Sequence, residues 1–82
     1  MFPILTVTVR KRDGIVFKGP VRSVSSLNDR GPFDILPMHT NFVSIVRDKL
    51  VIVKEDNSQF QISIIKGIIR VKENQAEIYL GV

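Results

Sequence analysis

The residue type that most constrains this chain is the β-branched aliphatic one. Valine and isoleucine each occur 11 times among the 82 residues, whereas alanine occurs once, at Ala76. β-Branched side chains lose rotamer freedom in a helix and pack well on a pleated sheet. The composition therefore predicts an all-β protein.

Apolar and polar residues alternate along much of the chain, which is typical of strands with one buried face. Turn-forming residues separate these segments at intervals typical of a sandwich or barrel. The pattern predicts eight or nine short strands, from the segments 5–10, 15–18, 21–27, 33–35, 42–46, 50–53, 60–65, 68–71 and 76–80. We therefore expect one domain over residues 1–82, a small two-layer β-sandwich or flattened barrel of about eight to ten short strands, with no helical hairpin at its C-terminal end.

Three sites interrupt the apolar pattern. Gly19-Pro20 and Arg47-Asp48-Lys49 are each expected to end a strand. Gly67 lies inside an apolar segment and indicates a bulge or a close approach of two backbones. The continuous run Leu50–Val53 predicts a strand covered on both faces, either by a second sheet layer or by a partner protein.

The sequence offers little for catalysis or metal binding. It has no cysteine and one histidine, His39, so a disulfide framework and a structural zinc site are excluded. The glycines are scattered, no G-x-S-x-G pattern occurs, and most of the carboxylates fall in predicted turns. We expect a protein that is not an enzyme and uses no cofactor.

The formal net charge is +4, and basic residues cluster near the first hairpin, at Arg10-Lys11-Arg12, Lys18 and Arg22. Small basic β-barrels bind single-stranded nucleic acid when exposed aromatic rings stack on the bases. The aromatic residues are few and mostly occupy predicted core positions: Phe2, Phe17, Phe33, Phe42, Phe60 and Tyr79. A free-standing barrel that binds nucleic acid is the alternative function, and we do not expect nucleic acid as the partner.

The segment from Val24 to Phe42 resembles a signature of the epsilon subunit of F-type ATP synthases, which is named delta in mitochondria. The family carries an apolar strand, a glycine-containing loop and an aliphatic-Gly-Ile-x-Pro-x-His-x-Pro-Leu segment. Gly31 fits the loop glycine, and the later positions are filled by Phe33, Ile35, Pro37 and His39. Asp34 and Asn41 stand where the family has glycine and proline.

Further segments resemble the same family, so the similarity covers nearly the whole chain. They are Leu5–Val9, Val16–Gly19 and Lys66–Val71. The resemblance implies the N-terminal β-sandwich of a non-catalytic central-stalk subunit. Such a domain binds the gamma subunit and the c-ring within the whole complex and couples ion translocation to ATP synthesis or hydrolysis. It also implies a peripheral membrane location on the cytoplasmic face of the inner (plasma) membrane.

Typical members of the family continue into a two-helix C-terminal domain, which can inhibit ATP hydrolysis and in some members binds ATP. The present sequence ends at Val82, so we expect none of that domain's roles to reside in these residues.

The resemblance also assigns contact residues. It places Asp29, Arg30, Met38 and His39 on the side of the c-ring, with Arg30 expected to pair with a carboxylate. His39 is either such a contact or a hydrogen-bonding residue within its own loop. The surplus apolar strands, roughly Val43 to Val53 and Ile62 to Ile69, suggest a gamma-binding face that includes Val43, Ile65 and Ile68.

Overall fold

The computed structural model describes residues 4–81, and every regular element in that range is a β-strand. The predicted all-β class is therefore confirmed. Residues 1–3 and 82, which belong to the predicted domain and include Phe2, lie outside the described range. The strands are β1 (Leu5–Lys11), β2 (Gly14–Asn28), β3 (Gly31–Ile35), β4 (Phe42–Lys54), β5 (Gln59–Lys72) and β6 (Gln75–Leu80).

Five of the six strands close into a ring, which gives the fold its barrel-like sandwich form. The order along the sheet is β1-β6-β5-β4-β2-β3, and β1 also pairs with β2. Neighbouring strands are antiparallel except β1 and β6, which run parallel. Strand β3 pairs with the last part of β2, from Val24 to Asn28.

The strands are fewer and longer than predicted, because the expected breaks do not interrupt pairing. Gly19-Pro20 lies inside β2, where Gly19 is opposite Val7 and Pro20 is opposite Thr6. The Thr6 amide donates to the carbonyl of Asn74 on the other side of β1, at 2.9 Å. Since the Thr6 amide points away from β2, the Thr6–Pro20 pair exchanges no ladder hydrogen bonds. The missing N–H of proline therefore costs nothing there.

The predicted break at Arg47-Asp48-Lys49 is a bend inside β4. Asp48 has a φ of 72°, and the register between β4 and β5 shifts by one residue at this point. Arg47 is opposite Lys66 and Asp48 is opposite Ile64, so Ile65 is an extra residue in β5. The bend and the bulge curve two long strands so that each contributes to both layers of the sandwich.

Gly67 confirms the predicted close approach of backbones. A Cβ atom at this position would lie 2.6 Å from the carbonyl oxygen of Tyr79 on β6. It would also lie 3.2 Å from a methyl group of Val46 on β4. Gly67 is buried and lets β5 pack tightly between its two neighbours.

The core is aliphatic and receives side chains from all six strands. Its members are Leu5, Val7, Val9, Val21, Val24, Ile35, Val46, Leu50, Ile52, Ile69, Val71, Ala76, Ile78 and Leu80. In the apolar run on β4, Leu50 and Ile52 are completely buried, while Val51 and Val53 are half-buried. The run is therefore covered fully on one face and partly on the other.

Candidate interaction surfaces

The two-residue turn between β2 and β3 presents Asp29 and Arg30, and both side chains are exposed. The side-chain oxygen of Asn28 accepts a hydrogen bond from the Arg30 amide at 2.9 Å, and this bond holds the turn. Asp29 lies 3.9 Å from the Arg47 guanidinium, a weak contact between two solvated groups. Among the described residues, the Arg30 guanidinium has no hydrogen-bonding or ionic partner, so it is available to an external anion.

The loop between β3 and β4 presents Met38 and His39. Met38 has a φ of 69° and is 70% exposed. Its amide donates to the side-chain oxygen of Asn74 at 2.6 Å, and the Asn74 amide group reaches the Met38 sulfur at 3.6 Å. Because the Asn74 carbonyl also accepts from Thr6, the β5–β6 turn ties this loop to the start of β1.

His39 hydrogen-bonds within its own loop, as one of the two predictions for it required. Its Nδ1 lies 2.8 Å from the carbonyl oxygen of Thr40, and its ring meets the Phe42 ring edge-on at a centroid distance of 5.5 Å. A nitrogen that faces a carbonyl is the protonated one, so Nδ1 donates. The side chain is half-buried.

The four residues predicted for the c-ring side flank strand β3 in two pairs. Asp29 and Arg30 precede β3, whereas Met38 and His39 follow it. A five-residue strand separates its two ends by about 13 Å at the usual rise per residue. The two pairs therefore lie at opposite ends of one short strand.

The three residues predicted for the gamma-binding face lie on the outer surface of β4 and β5. Val43 is 70% exposed, Ile65 is 94% exposed and Ile68 is 39% exposed. The bulge at Ile65 changes the alternation along β5: Phe60, Ile62 and Ile64 face inward before it, and Gly67, Ile69 and Val71 after it. Ile65 and Lys66 are consequently both directed to solvent.

The register adds Ile45, which lies within the predicted range Val43 to Val53, and Tyr79, which the sequence analysis did not select. Ile45 is opposite Ile68, and Ile68 is opposite Tyr79 on β6. Residues paired across a sheet share a face, so Ile45, Ile68 and Tyr79 form a row across three strands. We call the surface formed by Val43, Ile45, Ile65, Ile68 and Tyr79 the outer face. The sequence did contain a signal for Tyr79, because this large aromatic residue falls at an outward position in the alternating pattern of β6.

One titratable group on the outer face has a perturbed pKa. The Tyr79 hydroxyl donates a hydrogen bond to the Glu77 carboxylate. This hydrogen bond is the main cause that raises the pKa of Tyr79 above its ordinary value of 10.0. Loss of the phenolic proton would remove the bond and place two negative charges side by side.

The other classes of site find little support in the described residues. No cluster of His, Asp and Glu in residues 4–81 has the geometry to hold a metal ion. Phe17, Phe33, Phe42 and Phe60 are packed against the core rather than presented as stacking platforms. The same residues include no helix with the length and hydropathy of a membrane span.

The fold and its surfaces define a class: a small closed β-sandwich that presents an exposed apolar face and two polar loop patches. Residues 4–80 match the family model for the ATP synthase delta/epsilon chain, beta-sandwich domain. The chain belongs to this family.

Similar proteins agree with the family match. The chain is 32% identical over 65 residues to the ATP synthase epsilon chain of a Nitratiruptor species, which covers 78% of this chain and 50% of that one. It is 28% identical over 64 residues to the ATP synthase epsilon chain of a Sulfurovum species, with coverage of 77% and 50%. The chain thus spans about half the length of these relatives.

Solved structures share the fold. A chain in the Euglena gracilis mitochondrial ATP synthase, solved as OSCP, F1 and c-ring, superposes with a TM-score of 0.88 at 18% identity, covering 98% of this chain and 52% of that one. A chain in the central stalk and c-ring of the Tetrahymena thermophila mitochondrial ATP synthase gives a TM-score of 0.77 at 16% identity, with coverage of 95% and 63%.

Proposed function

We propose that this chain acts as the β-sandwich domain of an epsilon-type subunit in the central stalk of an F-type ATP synthase. In this role it binds the gamma subunit and the c-ring, carries out no chemistry, and helps to couple ion translocation to ATP synthesis or hydrolysis. The match of residues 4–80 to the delta/epsilon family carries the proposal. The domain would be held at the cytoplasmic face of the inner (plasma) membrane through the complex.

A stiff body suits a part that transmits torque. The ring of strands is closed by the pairing of β1 with both β2 and β6. The core inside it consists of aliphatic side chains, most of them without solvent exposure. Close-packed interiors of this kind have low compressibility, so load applied at one end of the sandwich reaches the other with little deformation.

We assign the c-ring contact to the turn of Asp29 and Arg30. Its support is the exposed Arg30 guanidinium, whose planar fork suits a carboxylate on a polar loop. Met38 and His39 remain in the proposal as a second patch that needs a separate test, because β3 lies between the two.

We assign the gamma contact to the outer face. Its support is the exposure of large aliphatic side chains on adjacent strands, with Ile65 almost fully accessible. Contiguous exposed apolar side chains on a small protein commonly mark a protein interface.

The test is an affinity purification of the tagged chain from detergent-solubilised membranes of the source organism, with mass spectrometry of the co-purifying chains. The proposal expects gamma together with the alpha, beta and c subunits. Recovery of the chain alone, or with nucleic acid that elutes at high salt, would overturn it, because phosphate contacts weaken steeply with salt whereas an apolar subunit interface does not.

Three variants separate the assigned surfaces. Ile65→Asp should lose gamma, whereas Gln59→Asp, which adds the same charge at the first residue of β5, should retain it. Arg30→Ala should weaken recovery of the c subunit without loss of gamma. His39→Ala tests the second patch, and normal assembly of that variant would leave His39 only its hydrogen bond to Thr40.

A further inference from the structure

The outer face is apolar at its centre and positively charged around it. In the central row, Tyr79 is followed on β1 by Arg10. In the next row, Val43 is opposite Arg70. On the other side of the central row, Arg47 is opposite Lys66. Each of these four basic side chains is exposed.

Acidic side chains are scarce on the same surface. The three rows run across β4, β5, β6 and β1. Among their described positions, Glu77 is the one residue with a carboxylate. It is half-buried, accepts the hydrogen bond from Tyr79 and lies directly opposite Arg70, whose charge it offsets. Nearby, Asp29 offsets Arg47 weakly from the adjacent turn. The outer face therefore presents a net positive potential around an apolar strip.

We infer that the segment covering the outer face is acidic and amphipathic, with aliphatic side chains that pack on Ile45, Ile65 and Ile68 and carboxylates that meet Arg10, Lys66 and Arg70. Since the inference rests on the proposed function, that segment belongs to the gamma subunit. Complementary charges around an apolar contact select the partner and its register and speed association.

Charge argues against the two other occupants. A second copy of this chain in a two-fold contact would bring the same basic side chains against each other, because such an interface uses one patch on both partners. A nucleic acid would satisfy the arginines but leave the aliphatic strip facing phosphate and sugar. An amphipathic acidic segment satisfies both parts of the surface.

The test measures binding of the chain to the purified subcomplex of alpha, beta and gamma from the same organism. Lys66→Glu reverses a charge on the outer face, and its cross-strand neighbour Arg47 favours the new carboxylate within the fold. Arg70→Gln removes a second charge. Arg22→Glu is the matched control, because Arg22 lies beside the β4–β5 turn and donates to the carbonyl of Glu55.

We expect Lys66→Glu to weaken binding about tenfold and Arg70→Gln about threefold, with a smaller effect of each at high salt. Arg22→Glu should bind within about twofold of the original chain. Circular dichroism melting of each variant checks that the sandwich is intact.

The outcomes separate the two proposals. If the original chain fails to bind the subcomplex, the proposed function and this inference are both overturned. If it binds, and Ile65→Asp abolishes binding while Lys66→Glu and Arg70→Gln bind normally, the gamma contact stands and the acidic character of its partner segment is overturned.

Discussion

At the scale of single residues, the clearest constraint is the absence of a side chain at position 67. Gly67→Ala would force a methyl group to within 2.6 Å of the Tyr79 carbonyl oxygen, which belongs to a paired strand and cannot move freely. We expect the free energy of unfolding to fall by about 2–3 kcal/mol, as for an overpacked core. Urea denaturation followed by circular dichroism measures this change.

Gly19→Ala is the matched control for that experiment. A Cβ atom at Gly19 meets nothing closer than the Phe17 ring at 4.0 Å. This variant should unfold within about 0.5 kcal/mol of the original chain. Equal losses in the two glycine variants would contradict the close approach at Gly67.

Tyr79 provides a second prediction, on pH dependence. The hydrogen bond to Glu77 is the main cause that raises the pKa of Tyr79 above 10.0, so Glu77→Gln should bring the pKa back toward that value. The folded pKa is raised, so this stabilisation is present below pH 10 and is lost as the pH rises through the folded value. The absorbance of the phenolate reports Tyr79 alone, because the sequence has one tyrosine and no tryptophan.

Glu55→Gln, which changes a carboxyl group in the distant β4–β5 turn, should leave that titration unchanged. A Tyr79 pKa that is the same in the original chain and in Glu77→Gln would show that the hydrogen bond does not hold the phenolic proton in solution.

At the scale of elements, the bulge in β5 decides which side chains form the core. Before Ile65 the even-numbered residues face inward, and after it the odd-numbered ones do. A strand without this extra residue would turn one half of its aliphatic side chains to solvent, because side chains alternate with a period of two. Deletion of Ile65 should therefore abolish cooperative unfolding, as followed by circular dichroism and by dispersion of the amide NMR spectrum.

Substitution at the same position should be mild by comparison. Ile65→Ser keeps the residue count and changes a side chain that is 94% exposed, so stability should stay within about 0.5 kcal/mol. A deletion variant as stable as Ile65→Ser would mean that β5 can re-register at little cost.

At the scale of the whole molecule, β6 is the strand that closes the ring. It lies between β1 and β5 and buries Ala76, Ile78 and Leu80. A chain that ends at Asn74 leaves both neighbouring strands with an unpaired edge and should not fold cooperatively. A chain that ends at Leu80 keeps all of β6 and should melt within a few degrees of the original. A folded chain ending at Asn74 would show that the ring does not need β6 for closure.

The elements that local patterns defined well are those with simple alternation. Leu5, Val7 and Val9 mark β1, and Ala76, Ile78 and Leu80 mark β6, since in each case three inward side chains are buried in the structure as the alternation requires. The predicted breaks at Gly19-Pro20 and Arg47-Asp48-Lys49 were wrong. A proline can lie inside a strand where the partner strand needs no hydrogen bond from it, and a bend can do so where the partner strand has an extra residue. Both conditions depend on the pairing between strands, which a local pattern does not show.

By itself, the sequence determined the β class, most of the buried side chains, an irregularity at Gly67 and the resemblance to the delta/epsilon family, because these depend on residue type and short-range alternation. Tertiary structure alone decided that Ile45, Ile68, Tyr79 and Arg10 form one row across four strands, and that Ile65 is the extra residue of a bulge. These relations depend on register between strands distant in the chain, and a shift of one residue moves every side chain to the opposite face.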